Sequence, residues 1–299
     1  MVNQICADEW DRIDWEKGEE TEVAKQVTEL VLKGVNINAK RKGYRSPALM
    51  CAIYNGQEKA ARVLLHYGAD VNMRNYDNET ALSCAAQRGR ASLIEPLIHA
   101  GADINHTSYT GGSTPIEWAI IKGGNETFDE LLRFGAKVRP EKALPLAAGY
   151  NRRDILRKLI SSGLDVNVRD DDDNTPLVCA AKRGHAGVVE DLIVAGANIY
   201  VKDSNGDTAL SHAASKGYVE TAKLLEVADK NNLTPEQKIE RIKYYKEQIR
   251  SLTAKPYAKE RRELAKKLTD LRKEFGLGAR ACASKSRIVQ ELRKRIYTR

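Results

Sequence analysis

Short polar–apolar clusters recur along the first three quarters of the chain, and most of them lie 33 or 34 residues apart. Each cluster starts with a glycine and continues with alternating apolar and polar residues. Between clusters, apolar residues such as Val63, Leu64 and Leu65 are spaced so that a helix would have one buried stripe. The clusters begin at Gly34, Gly68, Gly101, Gly135, Gly163 and Gly196, with steps of 34, 33, 34, 28 and 33 residues.

Two further landmarks keep the same phase and predict where helices begin and end. A threonine followed by proline or alanine and an apolar residue predicts a helix start, because threonine caps a helix and proline is tolerated in its first turn. A glycine nine residues later predicts the end of that helix. The starts are Thr80, Thr114, Thr175 and Thr208, with weaker matches at Pro47 and Lys142, and the ends are Gly56, Gly89, Gly123, Gly184 and Gly217, with Asn151 as the exception.

The three landmarks together resemble the ankyrin-repeat family over about residues 5–229. The resemblance implies an all-α fold, an ankyrin-repeat solenoid of about seven helix-turn-helix units with hairpin loops, here called fingers. The first and last units are expected to be atypical caps. Such arrays grip proteins with a concave surface, so a protein partner is implied. The 28-residue step leaves no room for a full finger before Ala143, which predicts a gap in the finger row.

The net charge of +8 conceals two segments of opposite sign. Residues 230–299 hold 21 Lys and Arg against 8 Asp and Glu, a balance of +13, which leaves 28 against 33 for residues 1–229, a balance of −5. We therefore predict two domains, an acidic ankyrin array over 1–229 and a basic helical tail over 230–299.

Cysteine and histidine placement gives no support for metal or redox chemistry. The five cysteines are widely spaced without a C-x-x-C pair, which favours a reducing compartment. Cys51, Cys84 and Cys179 each lie four residues after a helix start, so they are predicted to be core thiols. The run Asp170–Asn174 lacks the glycine and the final glutamate of a calcium loop and is interpreted as a solvated fingertip. No catalytic, cofactor-binding or metal site is predicted, and the chain is interpreted as non-enzymatic.

The predicted protein-binding surface combines the ends of the first helices with the fingertips. Residues seven and eight positions after each helix start should lie together on the concave side, and we call them the inner-helix strip. Aromatic residues and arginine dominate interface energetics, so Tyr76, Tyr109, Tyr150 and Arg88 are the strongest candidates. The full set of candidates is Tyr54, Tyr76, Arg88, Tyr109, Lys122, Tyr150, Lys182, Arg183 and Lys216.

The basic tail carries its own helix signals. Thr234-Pro-Glu-Gln237 is a capping box, and the apolar positions after it predict a helical hairpin over about 235–275, with a break at Pro256. Each helix has a narrow apolar seam typical of a coiled coil, so the hairpin is expected to pack on itself or on a second copy. A final helix is predicted over about 286–297.

A second, shorter resemblance falls within the tail. Leu268 to Leu292 is similar to the SAP motif, a helix–loop–helix that binds DNA in its family, although the loop over 278–284 is about two residues longer than usual. The resemblance implies phosphate contacts, with DNA or RNA as the partner. The implied contact residues are Arg272, Lys285, Ser286, Arg287 and Arg293.

These patterns favour a non-enzymatic adaptor whose array binds a protein and whose tail binds nucleic acid. The main alternative is a pure protein-interaction protein, monomeric or dimeric through its tail, whose tail caps the array or meets an acidic protein. Peripheral membrane binding and a role as a delivered bacterial or viral effector also stay open. No segment has the roughly 18 apolar residues of a membrane span, and no signal peptide is predicted. A cytoplasmic location is expected, with basic clusters at 259–267 and 293–295 as nuclear-import candidates.

Overall fold

A computed structural model describes residues 9–41, 46–109, 112–231, 265–266 and 269–270. The chain divides into two compact units, Met1–Glu226 and Val227–Arg299, and the candidate site analysed below lies in the first. The final helix and the candidate nucleic-acid contacts predicted for the tail lie outside the described residues. In the described tail positions 265–266 and 269–270 the backbone is α-helical.

The described part of the array is built from short helices in antiparallel pairs and contains no β-strand. Repeat 1 contributes α1, and repeats 2 to 7 each contribute a pair, which in repeat 4 includes a π-helix. The helices are α1 (Glu20–Leu32), α2 (Ala48–Asn55), α3 (Glu58–His66), α4 (Ala81–Gln87), α5 (Ala91–His99), α6 (Pro115–Trp118) with the π-helix Ala119–Gly123, α7 (Asn125–Arg133), α8 (Pro140–Gly149), α9 (Arg153–Ser161), α10 (Pro176–Ala181), α11 (Ala186–Val194), α12 (Ala209–Ser215) and α13 (Val219–Asn231).

Threonine caps begin the first helices of three repeats, as the sequence predicts. The hydroxyl oxygens of Thr80, Thr175 and Thr208 accept hydrogen bonds from the backbone N–H three residues later, at 3.4, 3.3 and 3.3 Å. Each bond satisfies one of the N–H groups that a helix start leaves without a partner. Proline occupies the first helical position in α6, α8 and α10, where its missing N–H costs nothing.

The first helices end in the left-handed backbone conformation, and Asn151 shows why it can replace glycine. Asn151 has φ +56°, close to the +66° of Gly89, and asparagine tolerates this conformation better than most residues. The prediction for Gly123 is wrong. In repeat 4 the first helix ends in the π-helical turn Ala119–Gly123, and Gly124 takes the positive φ, at +89°, in place of Gly123.

One apolar core runs through the array along the facing sides of the helix pairs. Trp10 and Trp15 are fully buried at its N-terminal end, and their indole N–H groups donate to the carbonyls of Asn36 and Trp10. Cys51 and Cys84 are buried within it, and Cys179 is partly buried. Burial raises the pKa of the Cys51 and Cys84 thiols, and the pKa of Cys179 rises to about 12, as expected of core thiols.

The missing finger of repeat 5 is replaced by a buried ion pair. Since α8 begins at Pro140, the Arg139 guanidinium is brought back onto repeat 4. It contacts the two carboxylate oxygens of Glu117 at 2.6 and 2.8 Å and donates to the Gly112 carbonyl at 2.9 Å. The Glu117 side chain is only 2% exposed and also accepts from the Thr114 backbone N–H. The gap in the finger row is therefore present, and Arg139 closes it at its base.

Candidate functional site

Residues of the inner-helix strip contact one another from repeat to repeat. The Arg88 guanidinium of repeat 3 lies 3.4 Å from the ring centroid of Tyr54 in repeat 2. The same arrangement recurs between Arg183 of repeat 6 and Tyr150 of repeat 5, at 4.7 Å. Stacking on a cation holds each tyrosine ring in place, which lowers the entropy lost when a partner binds.

Two of the predicted contact lysines are already engaged within the array. The Lys182 ammonium lies 3.0 Å from the buried Asp203 carboxylate and donates to Asn174 Oδ1 at 2.6 Å. Lys216 donates to the Lys182 carbonyl at 2.8 Å. These contacts join repeats 6 and 7, so both lysines have a structural use in addition to any contact with a partner.

The Asp203 carboxylate lies at the centre of a small charged cluster. Burial alone would raise the pKa of Asp203, but hydrogen bonds from His212, Lys182 and two backbone amides hold it far below its ordinary value. Asp203, Asp207 and His212 bring metal-ligating atoms within 4.8 Å of one another. Because Lys182 already supplies positive charge to Asp203, we assign this cluster to ion pairing between repeats.

The predicted fingertip tyrosines lie at the surface. Tyr109 is 76% exposed and Tyr76 is 58% exposed. Adjacent fingers are joined to each other, since the Tyr109 N–H donates to the Asp77 carbonyl at 2.9 Å and Asn78 Nδ2 donates to the Thr107 carbonyl at 2.8 Å. The fingertips are therefore held in register along repeats 3 and 4.

A cavity of about 790 Å³ brings the strip and one finger together. Of the predicted residues, Tyr54, Lys122 and Tyr76 line it, while the others lie elsewhere on the array. Sequence reasoning missed a second group of lining residues, chiefly Trp118 and the acidic residues before α1. The signal for the latter was the segment Asp14-Trp-Glu16, whose tryptophan is buried while its two carboxylates face solvent.

Comparison with known proteins identifies the repeat. A family model described as "Ankyrin repeats (3 copies)" matches residues 21–108 and 144–234, which is more than half of the chain. The chain belongs to the ankyrin-repeat family. The unmatched segment between the two matches holds the π-helix of repeat 4 and the connection that lacks a finger, which are the departures from the regular repeat.

Solved structures agree with this assignment. The chain is similar to the human ASB11 ankyrin repeat domain, with 27% sequence identity and a TM-score of 0.64 over 75% of this chain and 100% of that one. It is also similar in fold to the ankyrin repeat domain of Bcl-3, a member of the IkappaB protein family, with 21% identity and a TM-score of 0.54 over 74% and 97% of the two chains. The predicted ankyrin-repeat fold of the array is confirmed.

Membership of this family makes the array a protein-interaction module, because ankyrin arrays use their extended surfaces to hold other proteins. Such repeats are typically non-enzymatic. In the part of the chain that the structure describes, no helix is long and apolar enough to cross a bilayer.

Proposed function

We propose that this ankyrin-repeat protein is a non-enzymatic adaptor. Its array holds a protein partner on the inner-helix strip and the fingertips, and its basic tail docks to nucleic acid. The observation that supports the first part best is the cavity, because it joins Tyr54 and Lys122 of the strip with Tyr76 of a finger. Concave sites with aromatic walls and a few polar groups are where binding energy concentrates.

The charge of the tail supports the second part. A balance of +13 over residues 230–299 attracts phosphate, and this attraction supplies most of the affinity of non-specific nucleic-acid binding. The SAP-like segment provides specific candidates for the phosphate contacts, namely Arg272, Lys285, Ser286, Arg287 and Arg293. The array has the opposite balance of −5, so the two functions belong to different segments of the chain.

The strip is tested by capture of partners from an extract of the source cells on the immobilised full chain. The variant Tyr54→Ala/Arg88→Ala/Arg183→Ala should reduce the captured amount of a specific partner at least about tenfold, because truncating interface tyrosine and arginine costs about 1 kcal/mol or more per residue. Quantitative mass spectrometry of the captured proteins measures this.

A matched variant on the outer helices provides the control. Tyr67→Ala/Arg133→Ala/Arg157→Ala likewise removes one tyrosine and two arginines, here from exposed positions at α3, α7 and α9, and it should leave capture unchanged. Circular dichroism must show that both variants melt at comparable temperatures. If both variants lose the partner equally, or if neither variant loses it, the strip is not the surface that binds the partner.

A further inference from the structure

We propose that the cavity of repeats 1 to 4 binds an extended, arginine-bearing segment of the partner protein. This inference rests on the proposed function and adds the chemistry of the partner. The cavity is lined by four carboxylates, Asp14, Glu16, Asp77 and Glu79, against two cations, Arg41 and Lys122. Its volume of about 790 Å³ is within the range of sites that enclose a ligand of several side-chain lengths.

Contacts within the array already engage one of the two cations and one of the four carboxylates that line the cavity. Arg41 is engaged by Asp11 at 2.9 Å and by the Cys51 sulfur at 3.5 Å. Glu79 accepts from the side-chain amides of Asn75 and Gln87. Asp14, Glu16 and Asp77 are exposed and form no ion pair within the described residues. Asp14 Oδ1 accepts a hydrogen bond from the Lys17 backbone N–H at 3.0 Å, and this bond leaves the charge of the carboxylate available to a ligand.

The aromatic wall suits a guanidinium in particular. The Tyr54 ring already carries the Arg88 guanidinium at 3.4 Å, so the strip itself shows a planar cation packed on this tyrosine. Tyr76 and Trp118 add aromatic surface to the same cavity. Arginine stacks on aromatic rings and pairs with carboxylates through one planar group, whereas a lysine ammonium provides only a point charge.

The Trp118 indole N–H provides an independent indication of a ligand. Trp118 lines the cavity and is 8% exposed, yet its Nε1 has no hydrogen-bond partner in the part of the chain that the structure describes. Buried polar atoms are rarely left without a partner, and an extended peptide offers a carbonyl oxygen at every residue. A backbone carbonyl of the bound segment would accept this hydrogen bond, and the arginine of the segment would pair with the carboxylates of the cavity.

The test measures the fluorescence anisotropy of a labelled hexapeptide, Gly-Arg-Ala-Arg-Ala-Gly, titrated with the full chain. Its counterpart with glutamate in place of arginine should not bind. Neutralising the rim in Asp14→Asn/Glu16→Gln/Asp77→Asn should weaken binding about tenfold, as the loss of three exposed charge pairs of about half a kcal/mol each would. Trp118→Phe keeps an aromatic ring but removes the N–H, and it should weaken binding about fivefold.

The control neutralises three exposed carboxylates away from the cavity, in Glu126→Gln/Asp172→Asn/Glu226→Gln, and it should leave the affinity unchanged. Equal affinities for the rim variant and the wild type would overturn the proposal. Peptide binding that appears only after Arg272, Lys285 and Arg287 are reversed to glutamate would also overturn it, because the occupant of the cavity would then be the basic tail of the chain itself. If the peptide fails while partner capture still depends on the strip, this inference fails and the proposed function stands.

Discussion

Replacing Arg139 by methionine should lower the free energy of unfolding by about 2 to 3 kcal/mol, because it leaves the Glu117 carboxylate buried without its cation. Removing one partner of a fully buried pair costs about 3 to 5 kcal/mol, and the smaller figure applies because Arg139 itself is partly exposed. The hydrogen bonds from Arg139 to Glu117 also raise the pKa of Arg139, in keeping with a tight pair. Urea denaturation followed by circular dichroism measures the loss.

Two further variants separate the ion pair from general surface effects. Arg133 pairs with Glu95 and Glu130 on the exposed side of α7, so Arg133→Met should barely move the unfolding midpoint. In the double variant Glu117→Gln/Arg139→Met the buried charge is gone, and the loss should be smaller than the sum of the single losses. If Arg139→Met is no more harmful than Arg133→Met, Arg139 does not stabilise the fingerless junction.

Placing a methyl group on Gly123 should lower the free energy of unfolding by about 3 kcal/mol, the upper end of the usual cost of overpacking. A Cβ at this position would lie 2.1 Å from the backbone carbonyl oxygen of Ala86 in α4. The approach is close in both directions, since a Cβ on Gly89 would lie 2.8 Å from the Gly123 carbonyl oxygen. A backbone carbonyl cannot rotate away as a side chain can, so repeats 3 and 4 would have to separate.

Gly101→Ala provides the matched control for this substitution. Gly101 has φ +89° with nothing within 4 Å of its Cβ position, so alanine there introduces backbone strain alone, about 1 kcal/mol. Unfolding midpoints in urea for the two variants separate the steric cost from the strain. Equal losses would show that repeats 3 and 4 yield to the methyl group and that close backbone contact does not hold them together.

The regular features of the array were predictable because they are local. A threonine cap needs only its own helix start, and a glycine or asparagine with positive φ needs only its own turn, so Thr80 and Gly89 could be interpreted from single positions. The π-helix was not predictable in this way. The spacing from Thr114 to the second helix of repeat 4 is the same as in the other repeats, so no change in length marks the π-helix, and the packing of Gly123 against Ala86 is a contact between repeats.

The residues of the candidate site likewise divide into those that the repeat pattern predicts and those that only the fold brings together. Tyr54, Tyr76 and Lys122 were found from their phase in the repeat. Trp118 lies four residues after Thr114, the phase of the core cysteines, and its lack of a hydrogen-bond partner becomes visible only when the atoms around it are placed. Asp14 and Glu16 precede the first regular repeat, so no periodic position identified them, and only the fold brings them to the cavity.

Binding of labelled duplex DNA and single-stranded RNA across a salt series tests the adaptor proposal most directly, because nucleic-acid binding separates an adaptor from a pure protein-interaction protein. We expect the full chain to bind, and the logarithm of the association constant should fall linearly with the logarithm of the salt concentration, at a slope that corresponds to several phosphate contacts. Arg272→Glu/Lys285→Glu/Arg287→Glu should weaken binding and reduce the slope by about three. The array variant Lys25→Glu/Lys33→Glu/Lys59→Glu, with the same change in net charge, should keep the slope. The adaptor proposal would be contradicted if the full chain does not bind nucleic acid at about 100 mM salt, or if the two variants lose affinity equally. The tail would then be interpreted as a protein-binding segment.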